Sequence, residues 1–168
     1  VNHGRRRAVR TGSHEERLAA TEAVGTYVAA VGARFAPHFP SALPALCAQA
    51  KHADPDVRAE TANALAKMGK VLGDLAGGLP EGHADRQAAS GLAEAVARGL
   101  CDIMAEAGSA PVRCALQAKE DLEPNPGFVA LAGPGFSALA AAAGGRRSED
   151  VEDSDPDNFS DADGEDDW

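Results

Sequence analysis

The chain has few of the residues that carry chemistry or covalent staples. Its three cysteines, Cys47, Cys101 and Cys114, show no CxxC spacing, which argues against a disulfide framework or a cysteine zinc site and fits a reducing compartment, cytosol or nucleus. Five histidines, at positions 3, 14, 38, 52 and 83, include no helical pair at i and i+4 with a carboxylate between them, as a helical zinc site needs. Aromatics make up only 4% of the sequence and β-branched residues are sparse, so a sheet-built core is not expected. No run of about 18 apolar residues is present to span a membrane. The basic start Arg5-Arg6-Arg7 has no apolar signal core behind it and is read as a solvated end.

What the chain does have is alanine, helix formers and a repeat. Arg17 is followed at helical steps by Ala20, Thr21, Val24 and Gly25, and Arg58 by Thr61, Ala62, Leu65 and Ala66, two matching faces set 41 residues apart. A period of roughly 40–47 residues is that of helical-pair repeats of the HEAT and armadillo kind, whose units must stack because neither buries an apolar face alone. The expected fold is therefore all-α, a superhelical solenoid segment whose role is recognition.

Charge is divided unevenly along it. All 16 Lys and Arg precede residue 148, and residues 148–168 hold 11 of the 26 Asp and Glu. The body is near neutral, and the tail supplies the net charge of −10. With only Val151, Phe159 and Trp168 as large apolar groups, the tail is expected to be disordered, because it has too little to bury against its ordering entropy. Its carboxylates at Glu149, Asp150, Glu152, Asp153, Asp155, Asp157, Asp161, Asp163, Glu165, Asp166 and Asp167 form a candidate contact for basic proteins. A solubilising linker is the equally weighted alternative. Ser154 and Ser160 each have Asp three residues later, which suits acidophilic kinases.

The predicted domains are a disordered basic end over 1–12, helical repeats over 13–122, a Pro/Gly/Ala-rich segment over 123–147 and the acidic tail over 148–168. Ser13-His14-Glu15-Glu16 has the form of a capping box and predicts a helix start, with Leu18, Thr21, Val24, Val28 and Val31 inward. A shorter helix is expected from about Pro40 to Lys51. Asp54-Pro55-Asp56 supplies a cap, a first-turn proline and a carboxylate for the positive end of the dipole. The helix it opens is the most periodic in the chain, through Val57, Leu65, Met68, Leu72 and Leu75. Gly77-Gly78 and Pro80 break it, helices are expected to restart near Ala84 and at Ser109, and Phe128 to Ala143 is expected as two short helical pieces. Arg17 and Arg58 are predicted to bond to an acidic turn residue of the same or a neighbouring repeat, with Asp54 and Asp56 as the candidates, the alternative being ligands for an acidic partner.

Apparent chemical motifs fail on context. Gly69-Lys70 lacks the upstream glycine and the following Ser or Thr of a phosphate loop. Gly133-Pro134-Gly135-Phe136-Ser137-Ala138 has the letters of a dinucleotide fingerprint but no strand before it. The alternation of Asp153, Asp155 and Asp157 lacks the glycine and terminal Glu of a calcium loop. An enzyme is accordingly not expected, and no cofactor or metal.

Phe39-Pro40-Ser41-Ala42-Leu43-Pro44-Ala45-Leu46, then Asp54-Pro55-Asp56-Val57-Arg58, then Ala62 and Leu65, resembles the HEAT unit, with Asp54, Asp56, Val57, Arg58 and Leu65 at its structural positions. The wider order over 13–122, with the acidic stretch, resembles the middle of an importin-β (karyopherin-β) nuclear transport receptor, in the branch that carries ribosomal proteins and histones. That resemblance implies basic cargo, Phe-Gly nucleoporins and Ran-GTP as partners, the last through other repeats, with no direct nucleic acid or membrane contact and residence in cytoplasm and nucleus. It departs at Leu75–Asp85, where a first helix is expected to be missing, and at Phe128–Gly145. A start at Val1 and an end inside an acidic run lead to the expectation of a piece of a longer protein. The alternative is a HEAT scaffold subunit of a phosphatase or chromosome-organising complex.

Overall fold

A computed structural model of the chain describes the backbone of residues 3–106 and 108–149, with side chains over 13–106 and 108–146. Helices follow one another in it, and the described residues contain no strand. They are α1 (His3–Val31), a 3-10 segment (Gly32–His38), α2 (Phe39–Gln49), α3 (Pro55–Ala76), α4 (Ala84–Ala105), α5 (Ser109–Leu122), α6 (Pro126–Ala132) and α7 (Pro134–Glu149).

Their neighbours define two layers. In one, α3 packs between α1 and α5; in the other, α4 packs between α2 and α7. The hairpins α2–α3 and α4–α5 connect the layers, as helical pairs do when each buries its apolar stripe on the next. The shared core is built from Phe39, Leu43 and Leu46 of α2, Leu65, Met68 and Leu72 of α3, and Val96, Leu100 and Ile103 of α4, all essentially buried.

Most expected boundaries are found, for the expected reasons. Asp54 caps α3 by accepting from the Asp56 N–H at 2.8 Å, with Pro55 in the first turn. Beyond Gly77, α4 restarts at Ala84 and α5 at Ser109. Gly133, at φ 48°, turns the chain between α6 and α7, so the glycine-rich dinucleotide lettering is a helix–turn–helix corner.

Several expectations are corrected. The basic end expected as disordered over 1–12 is helical from His3, so Ser13 lies within α1 and does not open it. The stretch before Ser13 contains no proline, and its two glycines, Gly4 and Gly12, cost only about 1 kcal/mol each. Over Leu75–Asp85 no helix is missing: α4 sits beside α2 and is itself the first helix of the next pair. Val31 and Leu75, expected inward, are exposed. At Leu75 the reason is α6, which approaches the other side of α3 so closely that glycines, Gly73 and Gly77, occupy the contact.

Short α6 lies across α3 and α4. Asn125 holds it there, accepting from the Phe128 N–H at 2.9 Å while its amide donates to Asp74 at 2.9 Å. Ser90 of α4 donates to the Leu131 carbonyl at 2.7 Å, and the fully buried Phe128 meets Phe136 edge to face at 6.3 Å. No single described helix is long and apolar enough to cross a membrane; α6 and α7 reach that length only as a pair bent by 103°.

Candidate protein-binding surface

The turn between α2 and α3 carries the residues that the repeat reading singles out. Val57 and Leu65 are fully buried and Arg58 nearly so. The Arg58 guanidinium donates to the carbonyls of His52 at 2.6 Å and Ala53 at 3.1 Å, instead of pairing with Asp54 or Asp56 as expected. Asp54 is already engaged: one oxygen caps α3, and the other faces His14 Nδ1 at 3.4 Å. The His52 imidazole in turn accepts from the Asp54 N–H at 3.1 Å. Arg58 thus gives donors to the carbonyls of the turn itself, which lie outside both helices.

Arg17 does none of this. It is exposed, because α1 runs on through it to His3 and offers no turn carbonyls at that level. The repeat spacing nevertheless holds in space to within two residues: His14 faces Asp54, 40 positions on, and Gly25 packs against Ala64 of α3, 39 positions on.

A second arginine staple was not anticipated. At the start of α4, Arg86 donates to the carbonyls of Gly77 and Leu79, and His83 caps the helix by accepting from the Asp85 N–H at 3.2 Å. His-Ala-Asp occurs at 52–54 and again at 83–85, with the arginine four residues after the aspartate in the first case and directly after it in the second, so the sequence carries only part of the signal.

His14, Asp54 and Asp56 bring ligand-type atoms within 4.8 Å of one another. They lie at the N-terminus of α3, whose dipole places positive charge there, and one Asp54 oxygen is spent on the cap. The group is better suited to clasping α1 to the turn than to holding a cation. Elsewhere the thiols are quiet: burial, with Asp102 nearby, pushes up the Cys47 and Cys101 thiols, and burial, with Glu60 nearby, pushes up that of Cys114. A raised thiol holds less nucleophilic thiolate at neutral pH.

The open face of the α1/α3/α5 layer is polar. A groove of about 320 Å³ runs between these helices, with Glu22, Glu60, Lys67 and Asp121 on its walls. Through Asp121 it continues into a depression of about 630 Å³ at the end of α3, where Lys70, Asp74 and Asn125 stand. Asn63 donates to Glu60 at 3.1 Å and Gln117 to Asp121 at 2.9 Å, which fixes these carboxylates along the strip. Four carboxylates to two lysines make it mildly acidic, and it was not legible as a surface in the sequence. Of the eleven tail carboxylates predicted as a contact for basic proteins, Glu149 is the last residue of α7 and the other ten lie outside the described residues.

Comparison with known proteins agrees with this architecture. Residues 14–68 match the family model described as HEAT-like repeat, a stretch that takes in most of α1, all of α2 and α3 as far as Met68. No curated protein and no solved structure gives a match. The described residues form an all-α, solenoid-like stack of helices that contains a HEAT-like repeat at 14–68.

Proposed function

We propose that this chain is a segment of a nuclear import receptor, a non-enzymatic recognition module that binds basic cargo such as ribosomal proteins and histones and shuttles between cytoplasm and nucleus. The observation that carries the reading is the joining of a HEAT-type stack to a run of eleven carboxylates with no basic residue among them. Clustered charge of one sign raises the local concentration of an oppositely charged partner and speeds encounter. The carboxylate-bearing strip on the α1/α3/α5 layer adds a structured surface of the same sign. Phe-Gly nucleoporins and Ran-GTP belong to the same reading, with Ran held by other parts of the parent protein.

The test is capture of partners from cell extract on the full-length protein, followed by elution with Ran locked in its GTP form. Release of Lys/Arg-rich nuclear proteins is the expected result. A single stoichiometric catalytic subunit that stays bound through this elution would replace the import reading by that of a phosphatase or chromosome scaffold.

A further inference from the structure

The acidic run leaves the fold beside an unfilled groove. α7 packs on α4 and buries Leu139 and Ala143. Next to that contact line α7 carries only Ala141, Ala142 and Gly145, side chains too short to fill the space between two helices. A Cβ added at Gly145 would meet nothing within 4 Å. The result is a groove of about 290 Å³ whose opposite wall includes Cys101 and the nearly buried Met104 of α4, with Arg146 at the end toward the helix C-terminus.

The chain that follows matches this groove in reach, apolar content and charge. α7 ends at Glu149, one turn past Gly145. Beyond it stand ten carboxylates and three large apolar residues, Val151, Phe159 and Trp168. Val151 is two residues from the helix end, too near to turn back along α7. Phe159 is ten residues on, a length that spans up to about 33 Å, against about 10 Å from Glu149 back to Ala142 along the helix. Trp168 would close a loop almost twice as long, at a greater entropic cost. It also follows Asp166 and Asp167, whereas Phe159 sits between the uncharged Asn158 and Ser160, so its entry desolvates no charge beside it.

We infer that the groove between α4 and α7 is the docking site of Phe159 of the same chain, with the ring against Met104 and Cys101 and the carboxylates of Asp157 and Asp161 toward Arg146. The acidic run is then held along α7 instead of extending from its end. A second copy fits less well, because one aromatic side chain buries about 150–250 Å², far short of the roughly 800 Å² per partner of a stable interface. A segment tethered ten residues away needs no such area, since its effective concentration is high. The inference is independent of the import reading and holds equally if the acidic run is a linker.

Cys101, half-buried in the groove, is a native reporter for the test, which is site-resolved maleimide labelling read by mass spectrometry. It compares the full chain, a chain lacking residues 150–168, Phe159→Ser and Trp168→Ser, with Cys114 of α5, on the side of Glu60, as the internal control. Cys101 is expected to label at least about fivefold more slowly in the full chain and in Trp168→Ser than in the shortened chain and in Phe159→Ser, with equal rates at Cys114 throughout. The protection should persist in about 1 M salt, where exposed charges are screened within roughly 3 Å. Equal rates at Cys101 with and without residues 150–168 would overturn the inference. So would protection lost in Trp168→Ser and kept in Phe159→Ser, which would give the groove to Trp168, or protection that salt abolishes, which would leave only an ionic contact. Protection that fades on dilution of the protein would assign the groove to a second copy and overturn it as well.

Discussion

Gly73→Ala is expected to destabilise the protein by about 3 kcal/mol, at the upper end of the cost of overpacking a close contact. A methyl group at Gly73 would stand 2.6 Å from the Phe128 backbone nitrogen and against the Asn125 side chain that caps α6. Backbone cannot step aside as a flexible side chain can. Relief requires α6 to withdraw from α3, which would expose Phe128 and separate Asn125 from Asp74. At about 2–4 °C per kcal/mol for a chain of this size, the melting temperature should fall by roughly 10 °C. Gly91→Ala is the matched control. Gly91 lies in α4 with nothing within 4 Å of an added methyl, so alanine there should stabilise by about 0.5–1 kcal/mol. Thermal unfolding of both variants followed by circular dichroism reads the contrast, and a Gly73→Ala protein as stable as wild type would contradict the α3–α6 packing.

Arg58→Met should cost about 3 kcal/mol, because it leaves the carbonyls of His52 and Ala53 without their charged donor in a nearly buried site. Methionine keeps most of the apolar stem, so the loss reports the hydrogen bonds more than the packing. Arg58→Lys should recover less than half of it, since a single ammonium does not reproduce the guanidinium fork. Arg17→Met, at the corresponding position of α1, should change stability by less than 0.5 kcal/mol, as exposed substitutions do. Urea unfolding distinguishes these outcomes through the midpoint at unchanged slope. Equal costs at 17 and 58 would show that Arg17 has a role the structure does not give it.

The contrast between these two arginines shows where the sequence was readable. The 41-residue spacing placed Arg17 and Arg58 at one level, and His14–Asp54 and Gly25–Ala64 are at one level in space. What the spacing does not contain is where each helix begins. Arg58 has turn carbonyls to bind because α3 starts at Pro55, and Arg17 has none because α1 starts at His3. Starts were legible where chemistry punctuates them, as at Asp54-Pro55 and Gly77-Gly78, and illegible at the head of α1, where Arg, Ala and Val permit helix without marking an end. Neighbours were harder still. Periodicity shows that α4 has a buried face but not that α2 and α7 lie on either side of it, so the missing helix expected over Leu75–Asp85 was an error of pairing rather than of helix content. The polar groove depends on the same pairing, since Glu22, Glu60 and Asp121 come from three helices far apart in the chain. The tail carboxylates needed no fold to be found, only their count.

The central claim is that this stack and its acidic run recognise basic protein segments, and the most direct measurement is titration of a fluorescently labelled Lys/Arg-rich peptide over a range of salt concentrations. It compares the full chain with one lacking residues 148–168. The full chain should bind at least about tenfold more tightly at low salt, a difference of about 1.4 kcal/mol. Its advantage should shrink toward physiological salt, where exposed charges are screened over about 8 Å. Equal affinity and equal salt dependence with and without the tail would contradict the claim and leave the acidic run a solubilising linker.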